Sequence, residues 1–213
     1  MLALLIGLGT WQVYRLHWKE GILARIAAAE AGAPAPLTAN PSPYQKVSVS
    51  GRFEYDKAVW YGAEVRDVRN VPQMGYFQIV PLERPDGPPI MVERGWVPDV
   101  ASAPVDNPPG VVTVQGYVHQ AQGRSWFQPS DNFAERHFYT LDPKAIAAAL
   151  HLPDPEPFVI VALGPESAGA YPAPAQHLPR PLNNHLSYAI TWYGLAVALV
   201  VIFGVWSRNT LRA

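Results

Sequence analysis

NNHLSYAITWYGLAVALVVIFGVW, Asn183–Trp206, decides the architecture of this chain. From Leu186 to Trp206 it carries no charged residue. A helix rises about 1.5 Å per residue and needs about 20 apolar residues to cross a ~30 Å hydrocarbon core. Tyr188, Trp192 and Tyr193 cluster at the entry and Trp206 marks the exit, where aromatic rings favour the headgroup zone. Arg208 and Arg212 follow as cationic anchors. A helix in a soluble core rarely runs so long without one charged position on its outer face. Residues 186–206 are therefore a membrane span and 207–213 its cytoplasmic tail. Asn183, Asn184 and His185 lie at its water-facing lip.

A second apolar run, MLALLIGLGTWQVY (Met1–Tyr14), opens the chain but is short for a span. It fits a signal-peptide core, a short span extended through Trp18 while Arg15 snorkels to the interface, or the latter part of a longer span. No basic residue precedes it, and the small-residue site Ala27-Ala28-Ala29 lies beyond Arg15, Lys19, Glu20 and Arg25. A retained anchor over 1–18 is expected rather than a cleaved signal. Trp11, Tyr14, Trp18 and Ile22 recur at helical spacing beside a polar stripe of Gln12, Arg15 and Lys19, so the helix should run on to about Ala29. Gly32, Pro34 and Pro36 end it, and residues 19–43 read as a helical stem and proline-rich linker.

Two terminal anchors make a hairpin in the membrane. The cationic tail places the C-terminus in the cytoplasm and the long loop outside, in a bacterium the periplasm. Arg15, Lys19 and Arg25 on the outer side run against that charge bias, which long loops tolerate. With a formal net charge of −1 and no run of like charges, nothing points to nucleic acid. The absence of cysteine excludes disulfides, thiol redox chemistry and cysteine metal sites.

The loop should be β-rich. Val47, Val49, Gly51 and Phe53 alternate with Lys46, Ser48, Ser50 and Arg52, the period of a half-buried strand. Further strands are expected at Ala58–Val65, Gly75–Leu82, Ile90–Val97, Val111–His119 and Phe158–Leu163. Pro85-Asp86-Gly87-Pro88 reads as a hairpin and Asn107-Pro108-Pro109-Gly110 as a loop. Asp142 as N-cap and Pro143 at the first helical position predict one short helix through Leu150. The fold class is thus a membrane protein with two transmembrane helices flanking a mainly antiparallel β domain, 44–163, a small barrel or sandwich. A proline-rich linker, 164–185, returns the chain to the membrane.

Few residues suggest chemistry. There is no nucleophile elbow, phosphate loop, zinc-protease motif or dinucleotide fingerprint. His17, His119, His137, His151, His177 and His185 never fall at ligand spacing, and no nucleophile–base pair stands out. A non-enzymatic role is expected. Glu93-Arg94-Gly95-Trp96 sets a charged pair beside an aromatic. The structural reading is an edge strand with Trp96 in the core and Arg94 paired to Glu93 or a neighbouring strand; a direct binding role is the alternative. His185 is either a polar cap on the span or an axial ligand for haem iron, with Asn183 or Asn184 orienting the ring.

Leu8-Gly-Thr-Trp-Gln-Val-Tyr-Arg15-Leu-His-Trp-Lys19, Gly75-Tyr76-Phe-Gln-Ile-Val-Pro81-Leu82, Arg94-Gly-Trp-Val-Pro98 and Asn183-Asn-His-Leu-Ser-Tyr-Ala-Ile-Thr-Trp-Tyr-Gly194 occur in that order. Together they resemble the signatures of the Surfeit locus (Shy-type) family of cytochrome c oxidase assembly proteins, across nearly the whole chain. Val80 and Glu93 depart from its usual residues. The resemblance implies two membrane helices, a periplasmic domain in the bacterial inner membrane, and maturation of cytochrome c oxidase subunit I by delivery or insertion of haem a. It implies His185 as the haem contact, and subunit I and the haem a synthesis enzymes as partners. A scaffold that stabilises an assembly intermediate without binding haem is the alternative.

Overall fold

A computed structural model describes residues 1–100, 103–165 and 169–212. Residues 166–168 of the expected second linker and residue 213 of the tail lie outside the described residues. The elements in order are helix α1 (Leu2–Ala31), strands β1 (Ala35–Pro36), β2 (Lys46–Phe53), β3 (Val59–Val68), β4 (Val71–Arg84), β5 (Gly87–Pro98), β6 (Val111–Gln120) and β7 (His137–Phe138), helix α2 (Pro143–Ala149), strand β8 (Phe158–Ala162) and helix α3 (His185–Thr210). They fall into two compact units, Met1–Ala28 with Pro179–Ala213, and Ala29–Leu178.

In the helical unit, α3 has 26 residues and leaves Val197, Val200, Val201, Ile202 and Phe203 more than half exposed. Among the described residues it is the one helix long and apolar enough to cross a membrane. In α1 the charges from Arg15 onward shorten the apolar run below that length. Side by side with α3, α1 sets Gly9 against the Tyr193 ring, where an added Cβ would lie 2.8 Å from the ring edge. Thr10 Oγ1 and the Tyr193 hydroxyl are 3.0 Å apart, so small and polar residues fasten the pair.

The second unit is mainly β with one short helix. Its eight strands run in the order β1-β2-β6-β8-β5-β4-β3-β7, and β2 also pairs antiparallel with β4 through Arg52–Glu83 and Phe53–Leu82. The hydrogen-bonded neighbours β2, β6, β8, β5 and β4 therefore form a continuous ring. Most pairings are antiparallel, whereas β5–β8, β1–β2 and β3–β7 are parallel.

Side chains alternate across each strand, and here both faces are covered. Ile90 and Val92 of β5, with Phe158 and Ile160 of β8, join Val47, Val49, Leu82 and Val118 in one apolar cluster. Met91 and Val159 point the other way and pack with Val59, Ile79, Phe138, Leu141, Ile146 and Ala147. This explains why β5 and β8 are continuous apolar runs, Ile-Met-Val and Phe-Val-Ile-Val. Each such fully buried side chain contributes about 1.5–3 kcal/mol. The helix α2 supplies the second cluster's lid and is capped as expected: Asp142 Oδ1 accepts from the Lys144 and Ala145 amides at 3.0 and 3.3 Å.

Several segments extend beyond their predicted limits. The β3–β4 hairpin continues to Val68 and Val71, turning at Arg69-Asn70 with both residues at positive φ, the geometry that matches strand twist. Residues of the expected second linker also join the β unit. Ala173 exchanges both backbone hydrogen bonds with Trp96, at 2.9 and 2.8 Å, and Leu178 is fully buried.

Candidate functional site

His185 is the first residue of α3. Asn184 is the N-cap, with φ −99° and ψ 7° and no side-chain capping bond. Asn183 Oδ1 accepts a long hydrogen bond, 3.4 Å, from the His185 backbone amide. Neither asparagine bonds the imidazole in the hydrogen bonds observed, contrary to the expectation that one of them orients the ring. The side chain that holds it is Gln12 of α1, whose Oε1 lies 2.7 Å from His185 Nδ1. Among the described residues Gln12 is one of few buried polar ones, 8 % exposed, and sits in an apolar stretch of helix.

A carbonyl oxygen only accepts, so this contact requires Nδ1 to carry the proton. The lone pair of the neutral ring is then on Nε2, for which no hydrogen bond is observed among the described residues. An imidazole held through one nitrogen, with its lone pair on the other, has the arrangement of a metal-bound histidine with its outer partner. Among the described residues no three His, Cys, Asp or Glu converge on a common point. A single imidazole does not make a metal centre by itself, but it suffices for a haem, whose porphyrin supplies four of the iron's ligands. At the α3 lip, His185 is the residue that would hold such a group.

Sequence reasoning placed Gln12 only in a polar stripe. The available signal was its position: an amide inside an apolar helix is costly unless paired, and so points to a partner across the helix pair.

The comparisons with known proteins bear on the whole chain. Residues 1–197 match the model of the SURF1 family. A "SURF1-like protein" of Rickettsia felis is 29 % identical over 220 residues, covering 98 % of this chain and 94 % of that protein. "Surfeit locus protein 1" of Homo sapiens is 30 % identical over 227 residues, covering 97 % and 74 % respectively. The chain belongs to the SURF1 family.

The other motifs of this SURF1-family chain are built into the β unit. On β5 the register slips between Gln78/Gly95 and Ile79/Glu93, leaving Arg94 as the extra residue of a bulge. Gly95 follows at φ 140° with Ala173 pressed against it; a Cβ there would collide with the Ala173 carbonyl. The bulge turns Arg94 aside to donate to Gln78 Oε1 at 2.8 Å, Asn107 Oδ1 at 2.9 Å and the Asp106 carbonyl. Its guanidinium also lies 5.2 and 5.0 Å from the Phe53 and Tyr55 ring centroids. Burial pushes the Arg94 pKa down. With three acceptors and two rings, Arg94 clamps the 106–110 loop. Tyr55 helps, donating its hydroxyl hydrogen to the Pro108 carbonyl at 2.8 Å.

Trp96 is a core residue, 1 % exposed, with Nε1 donating to the Glu64 carbonyl at 3.1 Å. The edge strand of the structural reading is instead an interior one, since β5 pairs with β4 and β8. Edge pairing was indistinguishable in sequence because β8 arrives from far along the chain. Glu93 turns inward and, 8 % exposed, has its pKa raised to about 7, chiefly by burial. Arg66 opposes that shift and Glu64 adds to it. Burial, and then the Glu93 charge, also raises the pKa of Tyr61 and of Tyr117. On the same unit Trp60, Tyr76, Asp99, Glu135 and His137 line an open cavity of about 560 Å³.

Proposed function

We propose that this chain is a non-enzymatic assembly factor of haem-copper cytochrome c oxidase that holds haem a on its way into subunit I. The observation that carries the reading is His185, fixed through Nδ1 by Gln12 and with no hydrogen bond at Nε2 among the described residues, at the lip of an apolar helix. A lipophilic macrocycle entering from the bilayer meets an axial ligand there. Membership of the SURF1 family supports the assembly role. In this reading residues 1–18 of α1 form a second, shorter span beside α3. The β unit, a small closed barrel, stands on the periplasmic side of the bacterial inner membrane; Arg208 and Arg212 favour that orientation. Subunit I and the haem a synthesis enzymes are the partners.

The test is purification of the full chain after co-expression with the haem a synthesis enzymes. The parent is expected to carry a Soret band. His185→Ala should lose most of the haem at unchanged abundance, because the apolar α3 carries the insertion free energy. A variant with parental haem content and Soret position overturns the role of His185. A parent without haem favours the scaffold reading, which Trp126 and Phe127 support: they are 93 % and 74 % exposed on a loop whose own hydrogen bonds hold it in shape.

A further inference from the structure

We propose that Gln12 is the positioning residue of the α3 lip: it selects the Nδ1–H tautomer of His185, fixes the ring and leaves the lone pair on Nε2. The inference rests on the haem reading only for what that lone pair meets; the tautomer itself follows from the 2.7 Å contact. Free neutral imidazole favours the proton on Nε2, which leaves that nitrogen unable to bind a metal. An acceptor on Nδ1 reverses the preference and fixes the ring's rotation as well. An amide oxygen does this without adding a charge at the edge of an apolar helix, where a carboxylate would be expensive. Its burial keeps water from competing for the Nδ1 proton.

Two side chains one helix apart thereby make a device that neither helix holds alone. His185 comes from the N-terminus of α3, and Gln12 from the middle of α1, 173 residues away in sequence. The helix pair is fastened independently by Thr10 with Tyr193 and by Gly9 against the Tyr193 ring. Replacing Gln12 therefore removes the acceptor without removing the contact between the helices. An outer partner of a metal-bound histidine typically contributes a factor of about 10–100 to metal affinity, and that is the loss expected here.

Full-length protein labelled with 15N-histidine, in detergent micelles and free of haem, tests the tautomer through long-range nitrogen–proton correlations. The parent should show His185 protonated on Nδ1. Gln12→Leu should shift it toward Nε2–H, and Gln12→Glu, which keeps an oxygen acceptor, should retain Nδ1–H. A parent protonated on Nε2, or a Gln12→Leu spectrum identical to the parent's, overturns the proposal. The same three proteins titrated with ferric haem give the second readout. Gln12→Leu should bind about 10–100-fold more weakly, while Gln12→Glu should bind ferric haem at least as tightly as the parent and show a lower iron midpoint potential, because the imidazole gains donor strength. Equal affinity in Gln12→Leu and the parent overturns the positioning role. If the parent binds no haem, the haem reading fails and the tautomer measurement still decides this inference.

Discussion

Glu93 carries a pH dependence that follows from where its strand places it. Folding raises its pKa from the ordinary 4.5 to about 7, burial being the main cause. Between those values the folded chain holds more protons than the unfolded one. The stability of the neutral carboxyl is fully present below about 4.5 and is lost as pH rises through about 7. At pH 8 the ionised group costs about 3 kcal/mol, against less than about 1 kcal/mol at pH 5. Glu93→Gln keeps the shape and removes the titration. Full-length parent and variant, denatured with urea at pH 5 and pH 8, should differ more at pH 8, by about 2 kcal/mol in the variant's favour. A gap that does not change with pH sinks this account. The burial of Glu93 was invisible in sequence, where Arg94 could pair with Glu93 or with a neighbouring strand; in the fold it takes the second course and reaches Gln78 of β4. The bulge separates them, sending Arg94 to the 106–110 loop and Glu93 inward.

Elements whose cause is local were legible in the sequence. β2 was predicted from alternation alone, and α2 from Asp142 and Pro143. The Asn107–Gly110 loop followed from its prolines. Elements set by distant pairing were not legible. Strands β1 and β7 are two residues each and exist because β2 and β3 offer them edges. The turn at Arg69-Asn70 lacks the glycine that normally announces it. At the candidate site the same division holds: His185 was singled out from its place at the span's lip, whereas its contact with Gln12 needed the two helices side by side. Arg94 gives the element-scale prediction. Its fork meets three acceptors between two rings, a geometry an ammonium cannot reproduce. Arg94→Ala should cost about 2–4 kcal/mol through the unpaired loop groups it leaves. Arg94→Lys should lie nearer to Arg94→Ala than to the parent in urea denaturation. A lysine variant as stable as the parent would show that charge alone matters there.

At the scale of the molecule, the division into two units makes the β unit a candidate for independent folding, and the question is where it ends. Composition places the end at Leu163, after which prolines and glycine dominate. The backbone places it at Leu178. Ala173 pairs with Trp96 through two hydrogen bonds, and Gly164 and Ala162 bond Ala175 at 3.0 Å each. Ala173 and Leu178 are buried. Four backbone bonds at about 0.5–1.5 kcal/mol each, with a leucine burial of about 2 kcal/mol, amount to roughly 4–8 kcal/mol. A domain of this size is stable by only about 5–15 kcal/mol, so losing that segment consumes most of its margin. A fragment of residues 29–178 should therefore give a β-type circular dichroism spectrum and a cooperative melt. One ending at residue 163 should melt broadly or aggregate, with the Trp96 side of β5 uncovered. Equal, cooperative melting of both fragments would show that residues 164–178 only lie along the β unit and do not complete it. Helix-dominated dichroism from the longer fragment would contradict the β fold itself.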